Sequence, residues 1–376
     1  MKIVIASDSF KGSLSGEEIN NAWKQTVKEE FADCQVVPLL IADGGDGTLD
    51  AVIKQKNGRI VYENVKDPLF RTIKSRYGVF DDCAVISMCE CSGLTLIKEE
   101  ERDPFYTTSY GVGELIKKAV SAGNKTVYIT LGGSATNDGG IGALTALGYK
   151  FIKRDGTVCK GTGVELNDIV KIDDTNKFNT DDVRFVILSD VTNPLTGEKG
   201  ATRTFAKQKG ANPEQIEFLE KGMQSFEKAL SDYSGKDVAG IIGGGAAGGL
   251  GAALSVMLNA EIRSGVEEIL KIVDFDALIR DADFIITGEG RIDFQSKDGK
   301  VVSGVLSHAK KFNVPVIAVV GSVGNGYESL YDFGLCAVFS IIDGPFSLQQ
   351  IFADSENLYK KTAKNVLRII KALKAL

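Results

Sequence analysis

The sequence predicts an α/β protein of two domains, a doubly wound parallel-sheet domain built from both termini and an inserted mixed α/β domain. Three observations predict it. The chain has 376 residues, room for two domains at roughly 100–200 residues each. Both ends alternate continuous apolar strands with amphipathic helices, the pattern of a parallel sheet covered on both faces. In the middle, three strand-like runs follow one another without a helix, which requires antiparallel pairing.

At the N-terminus, Ile3-Val4-Ile5-Ala6 is a short apolar strand ending in Ser7-Asp8. Ser15-Gly16-Glu17-Glu18 then forms a capping box, and Ile19, Ala22, Trp23 and Val27 recur at helical spacing. A second strand, Val36 to Ala42, stops at Asp43, and a helix follows from about Thr48. Ile60–Val65, Thr72–Val79 and Ala84–Met88 are the three helix-free runs. Strand–helix units return at Val127–Leu131 and Phe185–Leu188, with helical runs at Gly111–Ala122, Ile141–Leu147 and Pro213–Leu230. The far end reads strand at Phe284–Thr287, helix at Val301–Phe312, and strands at Val316–Val320 and Ala337–Ile342. A long helix runs from Ser355 to the C-terminus. The expected division is residues 1–62 with 275–376, a Rossmann or flavodoxin-like domain, against an inserted 63–274. The active site is expected in the cleft between them.

Hydrophobic residues at 43% and charged residues at 25% exclude a disordered or fibrous chain. Glycine stands out, with 42 residues against 7 prolines, which points to tight turns and close backbone approaches. A net charge of −6 without blocks of like charge is unsuited to nucleic acid. No apolar run approaches the roughly 18 residues of a membrane span, and the start reads as a strand rather than a signal peptide. Six cysteines at 34, 83, 89, 91, 159 and 336, without a CxxC, suit a reduced, cytoplasmic setting. Cys89 and Cys91 form a close pair, but a metal site needs a second one.

Predicted strands repeatedly end in a carboxylate beside glycine or a small hydroxyl residue. The ends are Ser7-Asp8, Asp43-Gly44-Gly45-Asp46-Gly47, Gly132 to Gly140 (GGSATNDGG), Ser189-Asp190-Val191-Thr192-Asn193, and Gly288-Glu289-Gly290-Arg291-Ile292-Asp293. Ligands bind outside the carboxyl ends of strands in open parallel sheets. Acidic ends there suggest metal-assisted chemistry on an anion, although Asp and Gly also serve simple turns and N-caps. The Gly132–Gly140 loop is placed to offer backbone N–H groups to a phosphate at a helix N-terminus. A second glycine loop, Gly243 to Gly251, contains a formal GxGxxG at Gly243, Gly245 and Gly248. Val238–Ile242 before it is a poor strand, so a nucleotide loop or close helix packing is favoured over a dinucleotide site.

Other patterns exclude themselves. No GxxxxGK[ST] exists, because Gly299-Lys300 is followed by valines. Asp332-Phe333-Gly334 spells the kinase DFG, yet the single histidine, His308, leaves no HRD and no Ser-His-Asp triad. His308 is expected at the surface or its boundary. Acid–base work therefore falls to carboxylates or lysine. What remains suits phosphoryl transfer, which needs phosphate donors, a cation, and carboxylates to hold Mg²⁺ or orient the nucleophile.

At these residues the chain resembles the type I glycerate kinases. The matching stretches begin with Asp8-Ser9-Phe10-Lys11, Ala42 to Thr48 (ADGGDGT), and Arg102-Asp103-Pro104 leading to Thr107-Thr108-Ser109. They continue through Gly132–Gly140, Ser189 to Gly197 (SDVTNPLTG) and Gln208-Lys209-Gly210-Ala211. Ala246 to Gly251 (AAGGLG) and Thr287 to Asp293 (TGEGRID) complete the series, in order over nearly the whole chain. The resemblance implies ATP-dependent phosphorylation of D-glycerate, favouring the 2-phosphate, by two α/β domains with the site between them. Departures are Ser7, Lys207 and Val302 where the family has proline, and Ser87 for a glutamate, with Glu90 nearby.

The expected catalytic residues are Lys11, Asp190 and Asp293. Asp8, Ser134, Asn137 and Arg291 are expected to bind substrate, with Lys11 or Arg291 meeting the glycerate carboxylate. Gly132, Gly133, Gly243, Gly245 and Gly248 are the nucleotide or phosphate candidates. Asp190, Glu289 and Asp293 are the Mg²⁺ candidates, and Asp190 and Asp293 either bind it or take the hydroxyl proton. The expected partners are ATP and D-glycerate, in a monomer or homodimer. Two rivals are an NAD-dependent hydroxy-acid dehydrogenase using the Gly243–Gly248 turn and a non-catalytic glycerate-binding regulator.

Overall fold

The computed structural model describes residues 1–10, 12–42, 44–45, 47–297 and 299–374, with side chains to 372. In chain order the strands are β1 (Lys2–Ser7), β2 (Gln35–Leu40), β3 (Arg59–Lys66), β4 (Thr72–Phe80), β5 (Cys83–Ser87), β6 (Thr126–Thr130) and β7 (Lys150–Lys153). They continue as β8 (Ile169–Asp173), β9 (Arg184–Leu188), β10 (Glu261–Arg263) and β11 (Phe284–Gly288). The last are β12 (Arg291–Ile292), β13 (Val316–Val320), β14 (Ser322–Val323) and β15 (Leu335–Ser340). The chain forms two compact units, Met1–Asp43 with Val266–Leu376, and Gly44–Gly265.

The unit made from both termini holds a five-stranded sheet in the order β15-β13-β11-β1-β2. Every pair in it is parallel. Counted along the chain, this is the 2-1-3-4-5 order of flavodoxin-like sheets. Ile3, Ile5, Ile286 and Val319 face one side, where the helices Gly16–Glu30 and Leu348–Lys374 supply Trp23 and Tyr359. The Trp23 indole donates to the Tyr359 hydroxyl at 2.8 Å, satisfying both polar atoms inside the core. Val4 and Ile285, alternating with the first set, are buried on the other face, and the helix Val301–Phe312 packs on β1, β11 and β13. Ser15 forms the expected capping box with Glu18.

The second unit has a six-stranded sheet in the order β10-β9-β6-β5-β4-β3. β3, β4 and β5 are antiparallel, and β5, β6, β9 and β10 run parallel. Its core gathers Ile86, Val127, Ile129 and Phe185 from the sheet with Leu115, Leu144, Phe226 and Leu254 from the helices.

The division falls at 43/44 and 265/266 rather than at 62/63 and 274/275. β3 pairs with β4 along its whole length, so the strand cannot be split from that sheet. The helix Thr48–Gln55 goes with it: Arg76 on β4 reaches Asp50 with both terminal nitrogens, at 2.8 and 2.9 Å. Ile53 fills the space over Gly78, where a Cβ would sit 2.3 Å from it. At the other boundary, Glu267 and Asp276 both contact His308 on the helix Val301–Phe312. His308 is therefore buried at 5% exposure, not at the surface, because two acidic side chains satisfy its ring nitrogens. Among the described residues no helix is long and apolar enough to cross a membrane.

Candidate active site

In the first unit, chain order reverses direction between β1 and β11, the topological switch point. Their carboxyl ends are tied together: the Asp8 amide donates to the Gly288 carbonyl at 2.9 Å, and the Thr287 hydroxyl to the Ala6 carbonyl at 2.9 Å. Asp8 turns its carboxylate back to the Ser9 amide at 2.7 Å. Glu289, one residue past β11, is 7% exposed. One of its oxygens meets Lys300 Nζ at 3.3 Å; the other, Oε1, is buried and among the described residues has no partner. Burial pushes its pKa up, against the pull of Ser296 and Lys300. Two residues on, Arg291 pairs with Asp293 at 3.4 Å and is otherwise exposed. Asp293 also accepts from the Gln295 amide at 3.0 Å. Asp8, Glu289, Arg291 and Asp293 thus follow the ends of two neighbouring strands. Lys11, Asp43 and Asp46 lie outside the described residues.

In the second unit, Ser134 and Asp190 follow the carboxyl ends of the adjacent strands β6 and β9. Gly133 is exposed, Gly132 half-buried, and Ser134, next in the chain, is buried at 8% exposure. Asp190 is exposed and accepts from the Gly265 amide at 3.2 Å.

The rest of the Gly132–Gly140 loop departs from expectation. Asp138 is fully buried and turns its carboxylate onto amides at the start of the helix Ile141–Ala146. Its carboxylate accepts from the Ser109 amide and hydroxyl at 2.8 and 2.7 Å, and from Gly140 and Gly142 at 3.1 and 3.3 Å. These donors are the ones a phosphate would need, so this helix end is already occupied by the chain's own anion. Asn137 is also fully buried; its amide nitrogen donates to Thr202 at 3.1 Å, and among the described residues its Oδ1 has no partner.

The Gly243–Gly251 loop is buried and follows no strand, which removes the dinucleotide reading. Its glycines admit neighbouring backbone. A Cβ on Gly245 would lie 2.2 Å from the Pro194 carbonyl oxygen, and one on Gly248 2.1 Å from that of Thr136. On Gly243 it would meet the Val191 carbonyl at 2.8 Å. Each of the three is thus closely approached by neighbouring backbone.

Two lysines escaped sequence reasoning. Lys300 on Glu289 could have been suspected from its place just before a helix. Lys209, 2% exposed, stood only inside the family-like stretch Gln208–Ala211; nothing local foretold its burial, because a lysine between Gln208 and Gly210 looks solvated. Among the described residues no group of three or more His, Cys, Asp or Glu side chains is placed to hold a metal. Cys91 is buried, and burial pushes its thiol pKa up, so it is no ready ligand.

The glycerate kinase family model matches residues 3–371. The chain belongs to the glycerate kinase family. It is thus a kinase transferring phosphate to an alcohol group. Among its relatives, a glycerate kinase of Bacillus cereus (strain ATCC 10987 / NRS 248) is 40% identical over 374 residues, covering 99% of this chain and 98% of that one. A glycerate 2-kinase of Escherichia coli (strain K12) is 39% identical over 369 residues, 97% of each. A crystal structure from Salmonella typhimurium LT2, assigned to glycerate kinase 2, superposes with a TM-score of 0.89 at 40% identity and full coverage of both chains. For this glycerate kinase family member the dehydrogenase and regulator readings fall away, and the acidic strand ends become the groups to explain.

Proposed function

We propose that the chain transfers the γ-phosphoryl group of ATP, bound with Mg²⁺, to the 2-hydroxyl of D-glycerate, giving 2-phosphoglycerate and ADP. The observation that carries this reading is Glu289: a buried carboxylate with one unpartnered oxygen, at the switch point of a parallel sheet. A divalent cation fits such an oxygen, because Mg²⁺ is commonly held by one or two carboxylates together with substrate phosphates and water. Glu289 and Asp293 would hold the ion. When bound, Mg²⁺ neutralises charge on the phosphate oxygens of the transfer.

The chain's own residues have separate tasks. Asp190, exposed at the end of β9 and oriented by the Gly265 amide, takes the proton of the glycerate hydroxyl as the new P–O bond forms and the bond to the β-phosphate bridging oxygen breaks. Lys11 and Arg291 meet anionic groups, and Arg291 holds one carboxylate partner in Asp293 while most of its surface stays open. The Asp8 carboxylate accepts from a glycerate hydroxyl. Gly132, Gly133 and Ser134 offer backbone and hydroxyl donors from the open part of their loop. The name of the Escherichia coli relative supports the 2-position. The test is a coupled assay of ADP release with D-glycerate, with phosphorus NMR of the product. A 3-phosphate product, or no D-glycerate-dependent ADP, sinks the reading.

A further inference from the structure

Lys209 is among the largest fully buried side chains of the protein. It ends the short turn Lys207–Lys209, and Gly210 follows in a left-handed conformation against the Arg102 carbonyl. Its ammonium donates to Ser134 Oγ at 2.8 Å and to the Thr136 carbonyl at 2.6 Å. Both of these partners are neutral, and among the described residues no carboxylate pairs with it directly. The opposing charge that acts on it is Asp138, whose own oxygens are committed to Ser109, Gly140 and Gly142.

A buried ammonium with no contacting counter-ion is expensive, and a methionine would fill the same space without the desolvation cost. Stability alone therefore gives no reason for a lysine here. The hydrogen bonds give one. Ser134 Oγ accepts from Lys209, so its hydroxyl hydrogen is left to donate, and among the described residues nothing accepts it. Ser134, itself 8% exposed, follows the exposed Gly133 in the chain. Clamping the Thr136 carbonyl from the same nitrogen fixes the backbone on the far side of Ala135.

We infer that Lys209 is a positioning residue for the phosphoryl transfer: its buried ammonium fixes and polarises the Ser134 hydroxyl as a donor to the carboxylate of the acid substrate. A hydroxyl that accepts from a cation donates more strongly, and the dry surroundings magnify the effect. Burial pulls the Lys209 pKa down to about 7, and Asp138 pulls against it. The buried aspartate thereby helps hold the charge that the relay uses. This inference rests on the proposed role of Ser134 in binding glycerate.

The test is a double-mutant cycle on the full chain with Ser134→Ala, Lys209→Met and the pair. Each single change is expected to lower kcat/KM for D-glycerate roughly 10- to 150-fold, the range of a hydrogen bond to a charged group. The loss should appear in the KM for D-glycerate, with the KM for ATP unmoved. The double variant should be no worse than the poorer single one within about twofold, since residues acting as one unit are not additive. Lys209→Met should melt no lower than the wild type; Lys209→Gln, which keeps a donor, serves if the methionine variant does not fold. Additive losses, an equal rise in the KM for ATP, or failure of both Lys209 variants to fold would make the lysine structural and overturn the inference. Full activity in Ser134→Ala would overturn it together with the role given to Ser134. Wild-type turnover of D-glycerate reports on the proposed function separately.

Discussion

The Asp8 amide and the Gly288 carbonyl lie 2.9 Å apart, so the chain leaving β1 is pinned to the last residue of β11. The bond continues the ladder in which Ser7 stands opposite Gly288. It sets the Asp8 carboxylate beside the backbone that launches Glu289, at the one place where the order of this sheet reverses. Packing in the core explains neither acid. Asp8 is half-buried, and the deeper Glu289 keeps an orphaned oxygen, which is a cost in stability that a bound cation would relieve.

Glu289→Gln should separate the two properties. Burial raises the Glu289 pKa, so the protonated form is favoured by folding. Its contribution is fully present below the ordinary carboxylate pKa and is lost as pH rises through the raised value. The glutamine variant should therefore melt like the wild type in acid and higher than it near pH 8, measured without ligands. Adding Mg²⁺ with an unreactive ATP analogue should raise the midpoint of the wild type more than that of the variant. The variant's kcat/KM should fall by roughly 10- to 100-fold or more, the scale of lost metal-site partners. A variant fully active at low Mg²⁺ would remove Glu289 from the ion.

Asp190→Asn tests the proton acceptor. The residue is exposed and accepts a hydrogen bond from the Gly265 amide, which an asparagine oxygen can also accept. The thermal midpoint should stay put while kcat drops roughly 10²-fold or more, as for a lost acid–base group. Unchanged kcat across the pH range would leave the proton to another group.

Glu165 offers the opposite sign. Burial alone would raise its pKa, but Lys153 at 2.8 Å and the amides of Lys160, Gly161 and Thr162 outweigh it, and the value is lowered. Its stabilisation is present above the ordinary carboxylate pKa and lost as pH falls through the lowered one. Glu165→Gln should cost roughly 1–3 kcal/mol at neutral pH, the penalty of donors left without a good acceptor. The gap between variant and wild type should close in acid, as read by urea unfolding at several pH values. A gap independent of pH would assign the loss to shape rather than charge.

Local patterns carried the strands and helices: Ile3–Ala6 and Val316–Val320 read as buried parallel strands because nothing polar interrupts them. The helix-free run of β3, β4 and β5 announced its antiparallel pairing. The unit boundaries were not legible, because the helix Thr48–Gln55 is held by Arg76 and Gly78, contacts formed only after the sheet exists. Site residues divided by depth. Asp8, Glu289 and Asp190 lie near strand ends, where topology alone directs attention. Asp138 shares the same Asp-Gly pattern yet turns inward onto amides at a helix start, and pattern cannot distinguish an inward carboxylate from an outward one. Lys209 shows the same limit: its neighbours in sequence are polar, and its burial comes from a loop 75 residues away.

Gly248→Ala decides between packing and nucleotide binding in the second glycine loop. Gly248 has a φ of +65°, which disfavours a side chain, and a Cβ there would lie 2.1 Å from the Thr136 carbonyl oxygen. Its own carbonyl accepts from the Gly139 amide at 2.9 Å, so the two glycine loops are laced together and cannot simply part. Overpacking costs about 1–3 kcal/mol, and the unfavourable backbone conformation adds to it. Thermal unfolding of Gly248→Ala should therefore begin well below that of the wild type. The Thr136 carbonyl also receives the Lys209 ammonium, so the displaced loop should weaken D-glycerate binding before it touches ATP. A variant that melts like the wild type and shows only a raised KM for ATP would mean that the glycine makes room for the nucleotide, and that the contact with Thr136 is incidental.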